Sequence, residues 1–414
     1  MEEKKARVVI VGAGFAGLKA AQSLAKEPVE VTVVDRRNYH LFQPLLYQVA
    51  TSGLAPEEIS YPVRAVFRKQ KNTRFRLAEV ERVDLAGKCL VTNAGIIEYD
   101  YLILAAGGET NYFGMESVAK NGFGLKDVDE AIHIRNHILR MFEMAAQEKD
   151  PDIQRAMLTF MVVGGGPTGV ECAGALSELI RLVLTKDYPQ LNFNKVRVLL
   201  LEAADRLLAG MPPELSDITA KTLWNRQVEV RLDAAVSDFD GQRVVLKGGE
   251  IIPSRTLIWA AGVKASRLVD TLGVKQGSAR RAVVMATLQL PEQPEVFVIG
   301  DAACFDVDGR PLPMIAPVGI QQAAVAAQNI TALIQGKPLK NFVYHDKGSL
   351  ATIGRKAAVG RIGKWKFSGF FAWILWLFVH LILLVGFRNR LLVLINWAWE
   401  YISYDRAVRL IIPK

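Results

Sequence analysis

Gly12-Ala13-Gly14-Phe15-Ala16-Gly17 and Gly164-Gly165-Gly166-Pro167-Thr168-Gly169 stand in one chain, each leaving an apolar strand and opening a helix. Each is followed by another apolar strand that ends in a carboxylate: Asp35 after Val31-Thr32-Val33-Val34, and Glu202 after Val196-Arg197-Val198-Leu199-Leu200-Leu201. A lone G-x-G-x-x-G also serves ordinary turns, but here every part of the unit has a task. The first glycine allows a tight turn, the second lets the backbone approach a pyrophosphate, and the third lets helix and strand pack closely. The helix start then offers free N–H groups and a positive dipole end to the phosphates. The carboxylate accepts from a ribose 2′-hydroxyl and repels a 2′-phosphate, so Glu202, with no arginine directly after it, favours NADH over NADPH. An α/β chain with two Rossmann-like domains and two bound dinucleotides is expected.

At 414 residues, 50% hydrophobic and 22% charged, the chain can build two or three domains with full cores. The net charge of +9 is unevenly placed. Residues 331–414 hold thirteen Lys/Arg against three Asp/Glu, a surplus of ten that leaves −1 for the rest. Cys89, Cys172 and Cys304 form no C-x-x-C or zinc pattern, so small hydrophobic fillers are expected rather than disulfides or metal ligands. His133 and His137 are four apart on a probable helix with no carboxylate in the H-E-x-x-H manner, which reads as a solvated face. No metal site is expected. The opening Met1-Glu2-Glu3-Lys4-Lys5 lacks an apolar run, so no secretory or organellar address is expected before the first strand.

The basic tail is also where apolar residues crowd. Gly369 to Phe387 carries no formally charged side chain, and as one helix these nineteen residues would reach ~28 Å, marginal for a hydrocarbon core of about 30 Å. Lys364 and Lys366 precede the stretch and Arg388 and Arg390 follow it, which argues against a single crossing. Polar residues then recur at Asn396, Glu400, Ser403 and Arg406, a stripe on a helix whose other faces carry Leu394, Trp397, Trp399 and Tyr401. A C-terminal amphipathic helical anchor lying in a membrane interface is expected. A span, a buried hairpin and a dimer interface stay open, as does His380 inside the run: snorkelling, touching a substrate, or a satisfied buried imidazole.

Further segments carry a resemblance. Asp35 precedes Arg36-Arg37; Tyr101-Leu102-Ile103-Leu104-Ala105-Ala106-Gly107-Gly108 pairs with Thr256-Leu257-Ile258-Trp259-Ala260-Ala261-Gly262; and Val296-Phe297-Val298-Ile299-Gly300-Asp301 comes late. These resemble flavoproteins with two dinucleotide-binding domains, in which the aspartate at the Asp301 position bonds the flavin ribityl chain. Tyr39 to Ala50, Gly166-Pro167-Thr168-Gly169-Val170-Glu171, Gly348 to Arg355, Gly386-Phe387-Arg388-Asn389-Arg390 and Asn396-Trp397-Ala398-Trp399 narrow the resemblance to the single-subunit, membrane-bound type II NADH dehydrogenases.

That resemblance implies a non-proton-pumping NADH:quinone oxidoreductase with bound FAD, NADH as substrate and a membrane quinone as acceptor, on the cytoplasmic face of a prokaryotic membrane. FAD-side residues would be Gly12, Gly14, Gly17, Asp35, Arg36, Val80, Ala106, Gly107, Gly300, Asp301, Ala316 and Pro317. NADH-side residues would be Gly164, Gly166, Gly169, Glu202 and Gly262. Glu171, whose family counterpart faces flavin and nicotinamide, would help relay protons to reduced quinone; helix-start electrostatics is the plainer account of a carboxylate there. Gln321 is the later of two glutamines usual beside the flavin and quinone, and Pro317 stands where the first would be. The expected division is 1–113 and 263–330 for FAD, 114–262 for NADH and 331–414 for the anchor, with a lipid surface as partner, no nucleic acid, and a homodimer left open. Sulfide:quinone reductase, which needs cysteines meeting at the flavin, and an NADH-sensing membrane flavoprotein are the alternatives.

Overall fold

The computed structural model describes residues 5–403, 406 and 408–412. Residues 1–4, most of the opening segment considered for an address, lie outside them. The chain forms two compact units: Met1–His40, Tyr61–Glu109 and Val263–Asp346 make one, and Leu41–Ser60, Thr110–Gly262 and Lys347–Lys414 the other. This partition differs from the expected cofactor boundaries in grouping 41–60 and 347–414 with the second loop. The helices that matter for function are, in chain order, α1 (Phe15–Ser23), α2 (Leu46–Ala50), α3 (Val128–Ala145), α4 (Pro167–Glu178), α5 (Ala316–Ile334), α6 (Gly369–Leu383) and α7 (Phe387–Ser403).

The first unit is built on a six-stranded sheet in the order Gln289–Leu290, Gln293–Val298, Tyr101–Leu104, Ala6–Val11, Val29–Asp35, Thr73–Leu77. All its pairings are parallel except the hairpin at the 289 edge. Its central strand is apolar without alternation because both faces are covered. Val8 and Ile10 pack with Leu18, Leu24 and Ile330 of the α1 and α5 layer, while Val9 and Val11 pack on the other face with Val83 and Leu90 of a three-stranded antiparallel sheet.

The second unit repeats the plan. Its five parallel strands run Phe123–Gly124, Thr256–Trp259, Thr159–Val163, Arg197–Leu201, Val228–Arg231. In both units the loop strand sits between the strand of a crossover signature and the strand that ends in the carboxylate. The expected helix at Arg140–Gln147 is the end of α3, and another helix, Pro151–Met157, comes before the loop strand.

After the second nucleotide fold the same unit carries an antiparallel sheet of Ser349–Gly354, Ala357–Ile362 and Trp365–Ser368, then α6 and α7. The strand Ser349–Gly354 lies so close along α4 that a Cβ on Gly174 would come within 2.2 Å of the Ile353 carbonyl oxygen. The single nineteen-residue helix considered from sequence does not form. α6 stops at Leu383 and the chain turns through Gly386, whose φ of +90° favours glycine. Fifteen residues give ~22 Å, and among the described residues no helix is long and apolar enough to cross a membrane.

Candidate functional site

The two loops are geometric copies. Gly12 donates its N–H to the Val34 carbonyl and Gly164 to that of Leu201, both at 2.8 Å. A Cβ on Gly17 would meet the Gly12 oxygen at 1.8 Å, and one on Gly169 would meet the Gly164 oxygen at 1.8 Å, so the third glycine of each loop admits no side chain. The first glycines have φ of +99° and +111° and press against the crossover signatures, where a Cβ would lie 2.3 Å from the Ala105 oxygen and 2.7 Å from the Ala260 oxygen. Only the middle glycines, Gly14 and Gly166, have open space where a Cβ would stand. They are also the N-caps of α1 and α4, with no side chain capping either helix. A cradle empty at the middle position, above uncapped N–H groups, fits a dinucleotide pyrophosphate.

The carboxylates are held alike. Asp35 accepts from the Ala13 and Arg37 N–H groups at 2.6 and 2.8 Å. Glu202 accepts from Gly165 N–H, and from Ala204 N–H at 2.7 Å. Each is thereby pinned to its own loop. In the first unit Gly300, at φ +67°, approaches Gly319 of α5, which in turn leaves room for Ala16 of α1. This brings the late Gly300-Asp301 turn to the phosphate loop and to the start of α5, as a flavin site requires. Ala106 and Gly107 continue from the strand beneath Gly12, Val80 opens the strand Val80–Asp84 and packs against the core of the same unit, and Arg36 pairs loosely with Glu79 at 3.8 Å. Ala316 and Pro317 form the first turn of α5, where a missing N–H costs the helix nothing. Gln321 spends both ends of its amide on the backbone of His345 at 3.0 Å, tying down the chain that follows α5. The neighbouring Gln322, not singled out from sequence, is buried and accepts the Gly300 N–H at 2.7 Å.

Glu171 sits one turn into α4 and is buried. A single oxygen, Oε1, accepts from the Thr352 N–H and the Trp376 indole N–H, each at 3.2 Å. Those two bonds favour the ionised form, yet burial outweighs them and pushes the carboxyl up to about 8. Trp376 belongs to the apolar α6 but faces inward, stacked on His380 with ring centres 4.0 Å apart. Its neighbours include Tyr47 at 6.5 Å and Trp397 at 5.9 Å. His380 is therefore a partly buried imidazole, its Nδ1 2.7 Å from the Trp376 carbonyl, and loss of surrounding water lowers it to about 4.

Glu171, Thr352, Trp376, Tyr47 and Trp397 line a cavity of about 100 Å³ bordered by α2, α4, the strand Ser349–Gly354, α6 and α7. Glu178, one helical face further along α4, accepts from the Arg226 guanidinium, from Arg355 N–H at 2.6 Å and from Arg406 at 3.5 Å. Glu400 of α7 lines the same cavity. The polar stripe of α7 thus points toward its own unit through Asn396 and Glu400. Asn389 donates to the Glu57 and Ser60 carbonyls at 3.1 and 3.0 Å, Asn396 donates to Glu58, and the Trp397 indole donates to Gln48 at 2.8 Å. Leu391, Leu394, Ile395, Trp399 and Ile402 face out, while Val393 is buried.

One other expectation changes. His137 is not on a solvated face: its Nε2 meets the Arg255 carbonyl and the Thr256 hydroxyl at 3.0 Å, and burial lowers it to about 4. His133 on the same helix is exposed. Cys172 and Cys304 are buried free thiols, and burial pushes both up, Cys172 to about 12.

Comparison with known proteins finds a family model described as pyridine nucleotide-disulphide oxidoreductase over residues 6–328, and one described as NDH2 C-terminal domain over residues 346–403. The type II NADH:quinone oxidoreductase Ndh of Mycobacterium tuberculosis is 40% identical, with 98% of this chain and 90% of that protein covered. A type II NADH:quinone oxidoreductase of Staphylococcus aureus is 32% identical, covering 87% of this chain and 91% of that protein. Among solved structures, NDH2 from Plasmodium falciparum in complex with NADH has a TM-score of 0.91 at 20% identity, covering 99% of this chain and 100% of that one. The sulfide:quinone oxidoreductase of Aquifex aeolicus has a TM-score of 0.74 at 20% identity, covering 97% of this chain and 96% of that one, a likeness of fold.

Proposed function

The chain belongs to the type II NADH:quinone oxidoreductases, and on that premise we propose which of its residues carry each part of the reaction. It oxidises NADH and reduces quinone. FAD, when bound, supplies the chemistry of taking hydride from NADH and passing two electrons on. The cradle of Gly12, Gly14 and Gly17 with Asp35, Ala106, Gly107 and Asp301 holds FAD; Arg36 and Val80 flank it, and Ala316 and Pro317 offer the start of α5. Gly164, Gly166, Gly169 and Gly262 with Glu202 hold NADH. Gln321 fixes the chain beyond α5 and shapes the approach to the flavin from that side.

Glu171 supplies a proton to the reduced quinone. The observation that carries this assignment is a buried carboxyl with two hydrogen-bond donors and, among the described residues, no cation on it, which burial pushes up to about 8. Stopped-flow mixing tests it: in Glu171→Gln, NADH should bleach the flavin at the normal rate while recolouring by quinone slows. Recolouring at the normal rate removes Glu171 from the mechanism.

The outward face of α6 and α7 seats the protein on a lipid surface, as a monotopic anchor on the cytoplasmic side of the membrane. Phe371 and Phe387 are 83% and 80% exposed, with Phe378, Ile395 and Ile402 beside them. Lys364, Lys366, Arg388 and Arg390 flank the helices, each basic residue contributing about 1 kcal/mol against anionic lipid. Flotation with anionic vesicles tests this. Phe371→Asp with Phe378→Asp should leave the protein at the bottom of the gradient with NADH-dependent bleaching intact; flotation equal to the unsubstituted protein would remove the anchor.

A further inference from the structure

Quinone reduction needs a proton that NADH does not bring. In NADH + H⁺ + quinone → NAD⁺ + quinol, hydride accounts for two electrons and one proton, and solvent must supply the second. A buried Glu171 that has given its proton away must be refilled before the next turnover, and Glu171 itself is screened from solvent by Trp376 and the strand Ser349–Gly354.

We propose that Glu400 of α7 is the proton relay between solvent and Glu171, acting across the cavity that both side chains line. This rests on the assignment of Glu171 as proton donor. The cavity, about 100 Å³, has room for a short chain of hydrogen-bonded waters. Three acids line it, and their bonding separates them. Glu178 is clamped by Arg226, Arg355 N–H and Arg406, and a carboxylate so engaged is fixed as an acceptor. Glu171 is the inner terminus. The Glu400 carboxyl has no hydrogen-bonding group on it among the described residues, and it is only partly covered. It can therefore take a proton from the solvent side and turn to pass it inward.

The charged groups that act on Glu400 are Glu178 from α4, Glu58 from the short helix Pro56–Ile59, Arg355 after the strand Ser349–Gly354, and Arg406 beyond α7. Burial is the largest influence and pushes Glu400 up to about 7, with Glu178 and Glu58 adding to it and Arg406 and Arg355 opposing it. Burial holds both acids above the usual carboxylate range, so each can carry a proton near neutral pH, and an emptied Glu171 is refilled across the cavity they share.

The test combines kinetics with infrared spectroscopy on the full-length flavoprotein. Glu400→Gln should slow recolouring by quinone on the order of tenfold with NADH-dependent bleaching unchanged. A small weak acid in the buffer should restore the rate, and Glu400→Asp should retain most of it. Normal recolouring in Glu400→Gln across the pH range overturns the relay while leaving Glu171 in place if Glu171→Gln is slow. Normal recolouring in Glu171→Gln overturns both. Without turnover, the infrared carboxyl band lost in Glu400→Asp or Glu400→Gln should titrate near pH 7 in the unsubstituted protein. A Glu400 already ionised at pH 5 overturns the relay.

Discussion

Trp376 donates its indole N–H to Glu171 at 3.2 Å, joining a helix whose outer face is apolar to the helix that opens from the second phosphate loop. The bond explains why the most hydrophobic stretch of the chain holds a residue with almost no exposure. It also makes Glu171 sensitive to the C-terminal region, which leads to the first two expectations.

Glu171 weakens the fold as pH rises. Its carboxyl is raised from 4.5 to about 8 by burial, so above pH 4.5 the unfolded chain loses this proton while the folded one keeps it until about 8. Stability is fully present below 4.5 and declines across that window, by about 4–5 kcal/mol if the whole shift is expressed. Glu171→Gln, an isosteric group that does not titrate, should raise the melting temperature at pH 8 and change it little at pH 4.5. Equal shifts at both pH values would mean that Glu171 does not carry this proton.

Trp376→Phe keeps the ring and deletes the donor that favours ionised Glu171. The alkaline limb of quinone reduction should therefore move to higher pH, with bleaching by NADH unchanged. Trp376→Ala also empties the packing against His380 and Tyr47 and should cost about 3–5 kcal/mol in denaturant unfolding.

Specificity for NADH should rest on Glu202, pinned by the Gly165 and Ala204 N–H groups at the end of its strand. Glu202→Ala should raise KM for NADH roughly tenfold, the loss of about 1.5 kcal/mol of charged hydrogen bonding, and improve the relative use of NADPH. Steady-state comparison of the two nucleotides checks it, and an unchanged preference would place selectivity elsewhere.

Alanine at the third glycine of each loop separates the two nucleotides. A Cβ at either position lies 1.8 Å from a backbone oxygen, which side-chain rotation cannot relieve. Gly17→Ala should yield colourless protein. Gly169→Ala should stay yellow yet no longer bleach with NADH, as read from absorbance before and after mixing.

Most of the nucleotide-binding plan was legible because its causes are local. A close approach of backbone to backbone admits only glycine, and Asp35 and Glu202 end strands whose apolar runs announce burial on both faces. The tail was harder. Periodicity found the polar stripe through Asn396 and Glu400 but carries no sign to say which side faces protein. Trp376 was hidden for a related reason: within an unbroken apolar run, the few inward residues look like the rest, and His380 stood out only because it is polar. His137 and Gln322 depend on partners over a hundred and about twenty residues away, Arg255 and Gly300, which spacing along one helix does not reveal.

The inward polar edge of α7 has a mechanical consequence. Asn389, Asn396 and Trp397 bolt that helix to its unit through the segment between Gln48 and Ser60, so the greasy side is a rigid sole and not a tether. On a bilayer such a sole sets one height and one tilt for the Glu171 cavity, and any change in lipid packing is felt there directly, with no slack to absorb it.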